Sequence, residues 1–187
     1  MYIFAGLGNP GNEYNETRHN VGRELLIAAA KKFGFTSFEN QPKIRALAAE
    51  GKIGKEKCLF LLPETFMNKS GAALAPALKL YKIKLKNLVV VHDDADLMLG
   101  SAKLSFAKNS GGHKGVESVM RALATKDFWR MRIGIQKKKR VAGEDLVLQK
   151  FRNNEETVVR KVIKKGVRAV EDIVTAGPEK AMNDFNR

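Results

Sequence analysis

Short apolar runs and amphipathic stretches alternate along the chain. The first run, "YIFAG", is apolar throughout and breaks at Gly6, Gly8, Pro10 and Gly11, as a strand entering a turn does. The pattern then lengthens to a helical period. Val21, Leu25, Leu26 and Ala29 share a face, Asn20 stands ahead as a cap, and Gly34 follows the end at Phe33. "IRALAAEG" and "KCLFLLP" read as strands joined by the hairpin connection "GKIGKEK". The loop "ETFMNKSG" leads into a helix offering Ala72, Ala73, Leu74, Leu78 and Leu80 for burial. "NLVVVHDD" is an unbroken apolar run ending in polar residues, the pattern of a central strand buried on both faces. "AKLSFA" alternates as a half-buried strand does, the turn "NSGGHKG" precedes a helix over 116–124, and "WRMRIGI" is the last strand. Residues 136–145 are polar, charged and mobile-looking. A long helix then spans about 154–175 with Val158, Val162, Ile163, Val167, Val170 and Val174 on its apolar side. Gly177-Pro178 ends it, and "EKAMNDFN" makes a final short helix.

Alternating strands and helices without repeats or a low-complexity linker predict one α/β sandwich. The 187 residues suit a single domain with a substantial core. No apolar run is long enough to span a bilayer, and the N-terminus lacks the charged leader and cleavage site of a secretory signal. The lone cysteine, Cys58, lies in an apolar strand. It excludes an internal disulfide and a thiolate zinc site, and it suits a reducing, cytoplasmic location. Charge changes the picture more. Lysine and arginine number 34 against 20 acidic residues, a formal net of +14, which favours a polyanionic partner such as nucleic acid.

Gly6, Gly8 and Gly11 have the G-x-G-x-x-G spacing of a dinucleotide loop. In that motif the third glycine opens a helix whose N–H groups face the pyrophosphate. Here "NEYNETRHN" intervenes, so the helix starts about nine residues late. Nor does an acidic residue close a second strand at the usual distance. A nicotinamide or flavin enzyme is therefore the weakest of the readings.

Four polar clusters remain: residues 9–20, "TFMNKSG", "HDDAD" and "SGGHKG". His19 is the best acid/base candidate, because a neutral imidazole takes a proton near neutral pH. Without a partner it is equally an ordinary loop histidine. Asp93, at the end of the central strand, is placed to orient it. Neither Ser70 nor Ser110 has a nucleophile-elbow context, so water activated by a His–Asp pair is the simplest hydrolytic chemistry. "HDDAD" holds enough carboxylates for a metal, but alternate strand residues point to opposite faces and cannot all converge. His92 reads as structural, and His113 as either a turn stabiliser or a substrate contact.

Taken together, "GLGNPGNEYNETRHNVG", "PETFMNKSG", "VVHDDADL", "SGGHKG", "WRMRIGI", "LVLQKF" and "KAMNDFN" resemble, in order and spacing, the bacterial-type peptidyl-tRNA hydrolase family over essentially the whole chain. The resemblance implies cleavage of the ester joining a peptide to the 3′ end of tRNA. It also implies a monomer without metal or organic cofactor, and a peptidyl-tRNA partner. The fold expected is one domain over 1–187, a three-layer α/β/α sandwich around a mixed, mostly parallel sheet. By the same resemblance His19 activates water and Asp93 stabilises its basic form. Asn9 discriminates N-blocked from free aminoacyl-tRNA, and Tyr14, Phe66 and Asn68 contact substrate. The chemistry agrees: Asn9 and Asn68 offer donors and an acceptor for a peptide backbone, Phe66 and Met67 an apolar floor, and Asn68 a donor to a developing oxyanion.

Basic residues near these motifs, Lys103, Lys108, Arg130 and Arg132, are candidates for tRNA phosphate contacts, which position without reading sequence. "KKKR" at 137–140 and "RKVIKKGVR" extend the track. Lys114 departs from the family pattern, replacing the asparagine of G-G-H-N-G with three donors, a full charge and no acceptor. "RIGIQKKK" also lacks the more usual glycine after Ile135. The second reading is a non-catalytic RNA-binding protein on this fold. His19, Asp93, Asn9 and Asn68 standing together argue against it.

Overall fold

The computed structural model describes residues 1–187. One sheet organises the chain: β1 (Tyr2–Gly6), β2 (Glu39–Gln41), β3 (Ala46–Ile53), β4 (Glu56–Pro63), β5 (Leu88–Met98), β6 (Ala102–Phe106) and β7 (Trp129–Gln136), in the order β2-β3-β4-β1-β5-β7-β6. The four central strands, β4-β1-β5-β7, run parallel, and antiparallel pairings add β3 and β2 at one edge and β6 at the other. Five of the seven strands therefore point the same way.

Side chains alternate between two cores. Phe4, Val89, Val91 and Met131 face α1 (Val21–Phe33), α5 (Asn153–Ala176) and α6 (Pro178–Phe185). Ile3, Ala5, Leu59 and Val90 face α2 (Gly71–Leu80) and α3 (Lys114–Leu123). This is the expected three-layer sandwich. A short α4 (Gly143–Val147) lies beside the end of β5.

The connection after β1 runs towards the β2-β3-β4 side of the sheet and that after β5 towards the β7-β6 side, so a crevice opens between β1 and β5 beyond their C-terminal ends. Residues 7–20, 64–70 and the end of β5 all emerge there. The glycines make that convergence close. A Cβ on Gly22 would lie 2.3 Å from the Val91 carbonyl oxygen, and one on Gly6 would lie 2.5 Å from that of Gly22. Their function is backbone contact between α1 and the sheet, which a phosphate cradle does not need.

Several elements differ from the sequence pattern. Asn20 precedes α1 without capping it by its side chain, which is engaged elsewhere. β2 is a short edge strand with no apolar alternation to announce it. Ala72, Leu80 and Val158 are exposed. The polar stretch before α5 contains α4, anchored by the fully buried Leu146. α3 begins two residues early because His113 caps it. No helix is long and apolar enough to cross a membrane.

Candidate active site

The loop after β1 brings up its polar residues in a fixed order. Arg18, a buried cation, has Nη2 2.5 Å from a carboxylate oxygen of Glu155 and donates through Nη1 to the Ile135 carbonyl. Its guanidinium also stacks over the Phe151 ring at 4.7 Å. The backbone N–H of Arg18 donates to the Gln149 carbonyl, so the turn holding His19 is pinned to the segment between α4 and α5 by its backbone and to the first turn of α5 by its side chain.

Asn20 clamps Asn9. Its Oδ1 accepts from the Asn9 N–H at 2.8 Å, and its Nδ2 donates to the Asn9 carbonyl at 3.0 Å. The Asn9 side chain is oriented by a third bond: Oδ1 accepts from the Met67 N–H at 2.8 Å. Because that partner is a donor, the amide orientation is determined, and Nδ2 is left for a ligand.

From β5 comes Asp93, fully buried. Its Oδ1 lies 2.8 Å from His19 Nδ1 and 2.8 Å from His113 Nε2. Burial by itself would raise the Asp93 pKa, but the His113 and His19 imidazoles hold it well below the usual carboxylate range. His19 Nδ1–H donating to this carboxylate leaves Nε2 with the lone pair, the tautomer of a base. His92 is buried with Nδ1 donating to the Asp93 carbonyl at 2.7 Å. Burial, then the neighbouring His113, push its pKa well below the ordinary histidine value, so His92 is a neutral structural ring.

The rest of "HDDAD" disperses, as strand alternation predicts. Asp94 pairs with Arg132 at 2.6 Å and Asp96 with Arg140 at 2.6 Å. The ligating atoms of His19, Asp93 and His113 lie within 4.8 Å of one another, a spacing that would suit a cation. They are already hydrogen-bond partners, and the second nitrogen of His113 accepts from backbone N–H groups.

These residues floor a cleft of about 410 Å³. Phe66, Met67 and Asn68 form one side, Ser110 to Lys114 another, and Gly143, Glu144, Val147 and Leu148 of the α4 region a third. Asn9, His19, Phe66, Asn68, Asp93 and Lys114 are thus brought together. Tyr14 sits half-buried in the turn before His19 and does not line the cleft. Lys103 and Lys108 are exposed, and Lys103 is paired across the ladder with Arg132. Arg130 is not at the surface: 2% exposed, it donates to the Asn109 carbonyl and ties the 107–113 loop to β7.

Sequence reasoning placed Arg18 and Asn20 in the polar loop but missed the strut and the clamp they make, and it missed the α4 wall. For the wall a signal exists in "GEDLV", where acidic residues precede paired apolar ones as in a helix's first turn. For Arg18 there is none, since arginine is almost never fully buried.

The description "Peptidyl-tRNA hydrolase" belongs to the protein family whose sequence profile matches residues 3–187. The peptidyl-tRNA hydrolase of Caldanaerobacter subterraneus subsp. tengcongensis is 44% identical over the whole of both chains. That of Thermoanaerobacter sp. is 43% identical over the same full coverage. Among solved structures, the peptidyl-tRNA hydrolase of Acinetobacter baumannii is 34% identical with a TM-score of 0.90, over 100% of this chain and 94% of that one. A complex of a peptidyl-tRNA hydrolase with N-propanol is likewise 34% identical, with a TM-score of 0.91 over the same coverage. A family match over nearly the whole chain, sequence identity along the full length of the relatives and a shared fold lead to one assignment: the chain belongs to the peptidyl-tRNA hydrolase family.

Proposed function

We propose that the cleft hydrolyses the ester of peptidyl-tRNA with a water molecule activated by His19. The single observation that carries this reading is the His19 Nδ1 to Asp93 Oδ1 bond of 2.8 Å at the floor of the cleft. His19 Nε2 takes a proton from water as its oxygen attacks the ester carbonyl carbon. Asp93 stabilises the imidazolium that forms. The tetrahedral intermediate then collapses. The bond to the 3′-terminal ribose oxygen breaks, the imidazolium returns its proton to that oxygen, and tRNA and the peptide acid leave.

Asn9 and Asn68 are read as the peptide-backbone contacts. The free Nδ2 of Asn9 is fixed in direction and suits the carbonyl of an N-blocked residue. Phe66, 57% exposed, supplies apolar surface at the mouth. Lys103, Lys108 and Arg132 are read as a phosphate track, giving affinity that falls as salt rises. We further read the enzyme as a cytoplasmic monomer working without a metal. Burial pushes the Cys58 thiol up to about 11, a poor nucleophile suited to a packed core.

The test is incubation with N-acetyl-aminoacyl-tRNA and with its unblocked form. Release of only the blocked amino acid, abolished in His19→Ala, is expected. Full activity in His19→Ala sinks the mechanism. Tight binding by the parent protein without turnover points instead to an RNA-binding protein on this fold.

A further inference from the structure

His113 joins two systems that sequence reasoning treats as alternatives. Its Nδ1 accepts from the backbone N–H groups of Gly115 and Val116, each at 3.2 Å, and so caps α3. A ring nitrogen that accepts carries a lone pair, so the proton of this imidazole is on Nε2. That Nε2 meets Asp93 Oδ1 at 2.8 Å, the same oxygen that His19 Nδ1 meets at 2.8 Å. The opposite tautomer would set an N–H against two N–H groups and a lone pair against a carboxylate. The helix end therefore dictates the tautomer, and the tautomer makes His113 a donor to Asp93.

We propose that His113 is a positioning residue of the hydrolysis: it holds a fixed N–H on Asp93 Oδ1, aims that carboxylate at His19, and tempers its pull on the His19 proton. The proposal rests on the reading of His19 as the base. An oxygen serving two donors is a weaker acceptor for each than an oxygen serving one. Loss of the His113 bond leaves the His19–Asp93 bond tighter and the imidazolium better stabilised, while the carboxylate loses one of its two anchors. The other ionisable groups facing the ring keep their partners. His92 lies edge-on at 4.7 Å and His19 at 5.0 Å between ring centres. Asp94 is tied to Arg132, Lys114 pairs with Glu144 at the mouth, and Arg130 lies beneath the loop. A change confined to the Asp93 bond is thus separable from its surroundings.

Two substitutions divide the roles. In His113→Asn the side-chain oxygen reproduces the Nδ1 acceptor, and asparagine is a strong N-cap, but the side chain is too short for Asp93. In His113→Gln an amide N–H reaches the Nε2 position and nothing remains for the cap. We expect His113→Asn to keep its melting temperature within about 2 °C. Its kcat falls about tenfold with little change in KM, and the acidic limb of its kcat/KM profile moves to higher pH. Its His19 Nδ1–H proton resonance, recorded without substrate, moves downfield. His113→Gln keeps the parental profile and resonance and melts lower.

A parental pH profile and resonance in a folded His113→Asn overturn the proposal. If His113→Asn does not fold, His113→Gln and His113→Leu decide together, since both lack the cap and only the first keeps a donor: a profile parental in Gln and displaced in Leu supports the proposal, and matching profiles overturn it. Full activity in His19→Ala defeats the reading of the base, while the resonance still reports whether His113 holds Asp93.

Discussion

The floor and the rim of the cleft are built on opposite principles. On the floor each of these polar residues is held by a buried partner: Asn9 by Met67 and Asn20, His19 by Asp93, Asp93 by two rings, and His113 by a helix end. Exposure there is 9% or less for Asn9, His19, Asn20 and Asp93. At the rim Phe66 and Leu148 are more than half exposed, and the Lys114–Glu144 contact at 3.5 Å joins side chains 66% and 85% exposed. In the proposed mechanism, a carboxylate and a base that must meet a reacting water gain from being fixed beforehand. Contacts to peptides of varied sequence gain from adaptability, and an exposed ion pair of this kind has little energy to hold a shape. Substitutions in the two regions should therefore separate by kind as well as by size. Floor variants lower kcat, and rim variants change KM and selectivity.

The largest effect is expected at Asp93→Asn, which preserves shape but removes the charge that, in the proposed mechanism, stabilises the His19 imidazolium. Turnover should fall on the order of a thousandfold with a small change in KM. A loss seen in KM alone would erase the distinction between floor and rim. The same variant reports on acid stability. The two imidazoles depress the folded-state pKa of Asp93 below its unfolded value, so its stabilisation is complete above about pH 4 and is lost as pH falls towards the folded value. The difference in melting temperature between parent and Asp93→Asn should be constant from about pH 7 to 5 and shrink below about pH 4. A difference that grows on acidification would contradict the assigned sign.

Asn20→Ala comes next. It touches no substrate in this reading, yet it leaves the buried N–H and carbonyl of Asn9 without their side-chain partners. A cost of about 1–3 kcal/mol in folding stability is expected, with roughly tenfold lower kcat/KM as Asn9 loses its direction. Normal kinetics at a lowered melting temperature would show that Asn9 needs no clamp.

Phe66→Ala should act on the rim alone. Loss of the exposed ring raises KM about fivefold for substrates with large apolar side chains, less for small ones, and leaves kcat unchanged.

How much of this was visible in the sequence follows the same division. Apolar periodicity located β1, β4, β5, β7, α1 and α5, because burial on one or two faces leaves a period that a single chain displays. The late helix after Gly11 was enough to set aside a cofactor loop. The fate of buried polar groups was not visible. Asn20 is as good a cap as it is a clamp, and only the approach of residue 9 selects between them. His113 divided evenly between turn and site because its two nitrogens serve one each. Arg18 and Arg130, surface cations by composition, are interior struts. The α4 wall was hidden because five residues of helix are too few for a period to emerge from a charged stretch.

The smallest effect is expected where the chain departs from its family's usual pattern. Lys114 stands at N1 of α3, directly after the cap, with its side chain in solvent beside Glu144. Lys114→Asn restores an acceptor at the mouth of the cleft and removes one positive charge, and nothing on the floor is bonded to it. Turnover of a blocked aminoacyl-tRNA should stay within a few-fold of the parent's, about the limit for an exposed polar contact. The change should appear instead in the ratio of kcat/KM between substrates differing only in their peptide, and in a shallower dependence of KM on salt as one cation near the 3′ end is lost. Glu144→Gln is the control, removing the partner while keeping the lysine, and it should leave turnover unchanged. A large rise in kcat for Lys114→Asn would mean that this lysine restrains the chemistry itself. The boundary between the committed floor and the adaptable rim would then run through the first residue of α3, on the far side of His113.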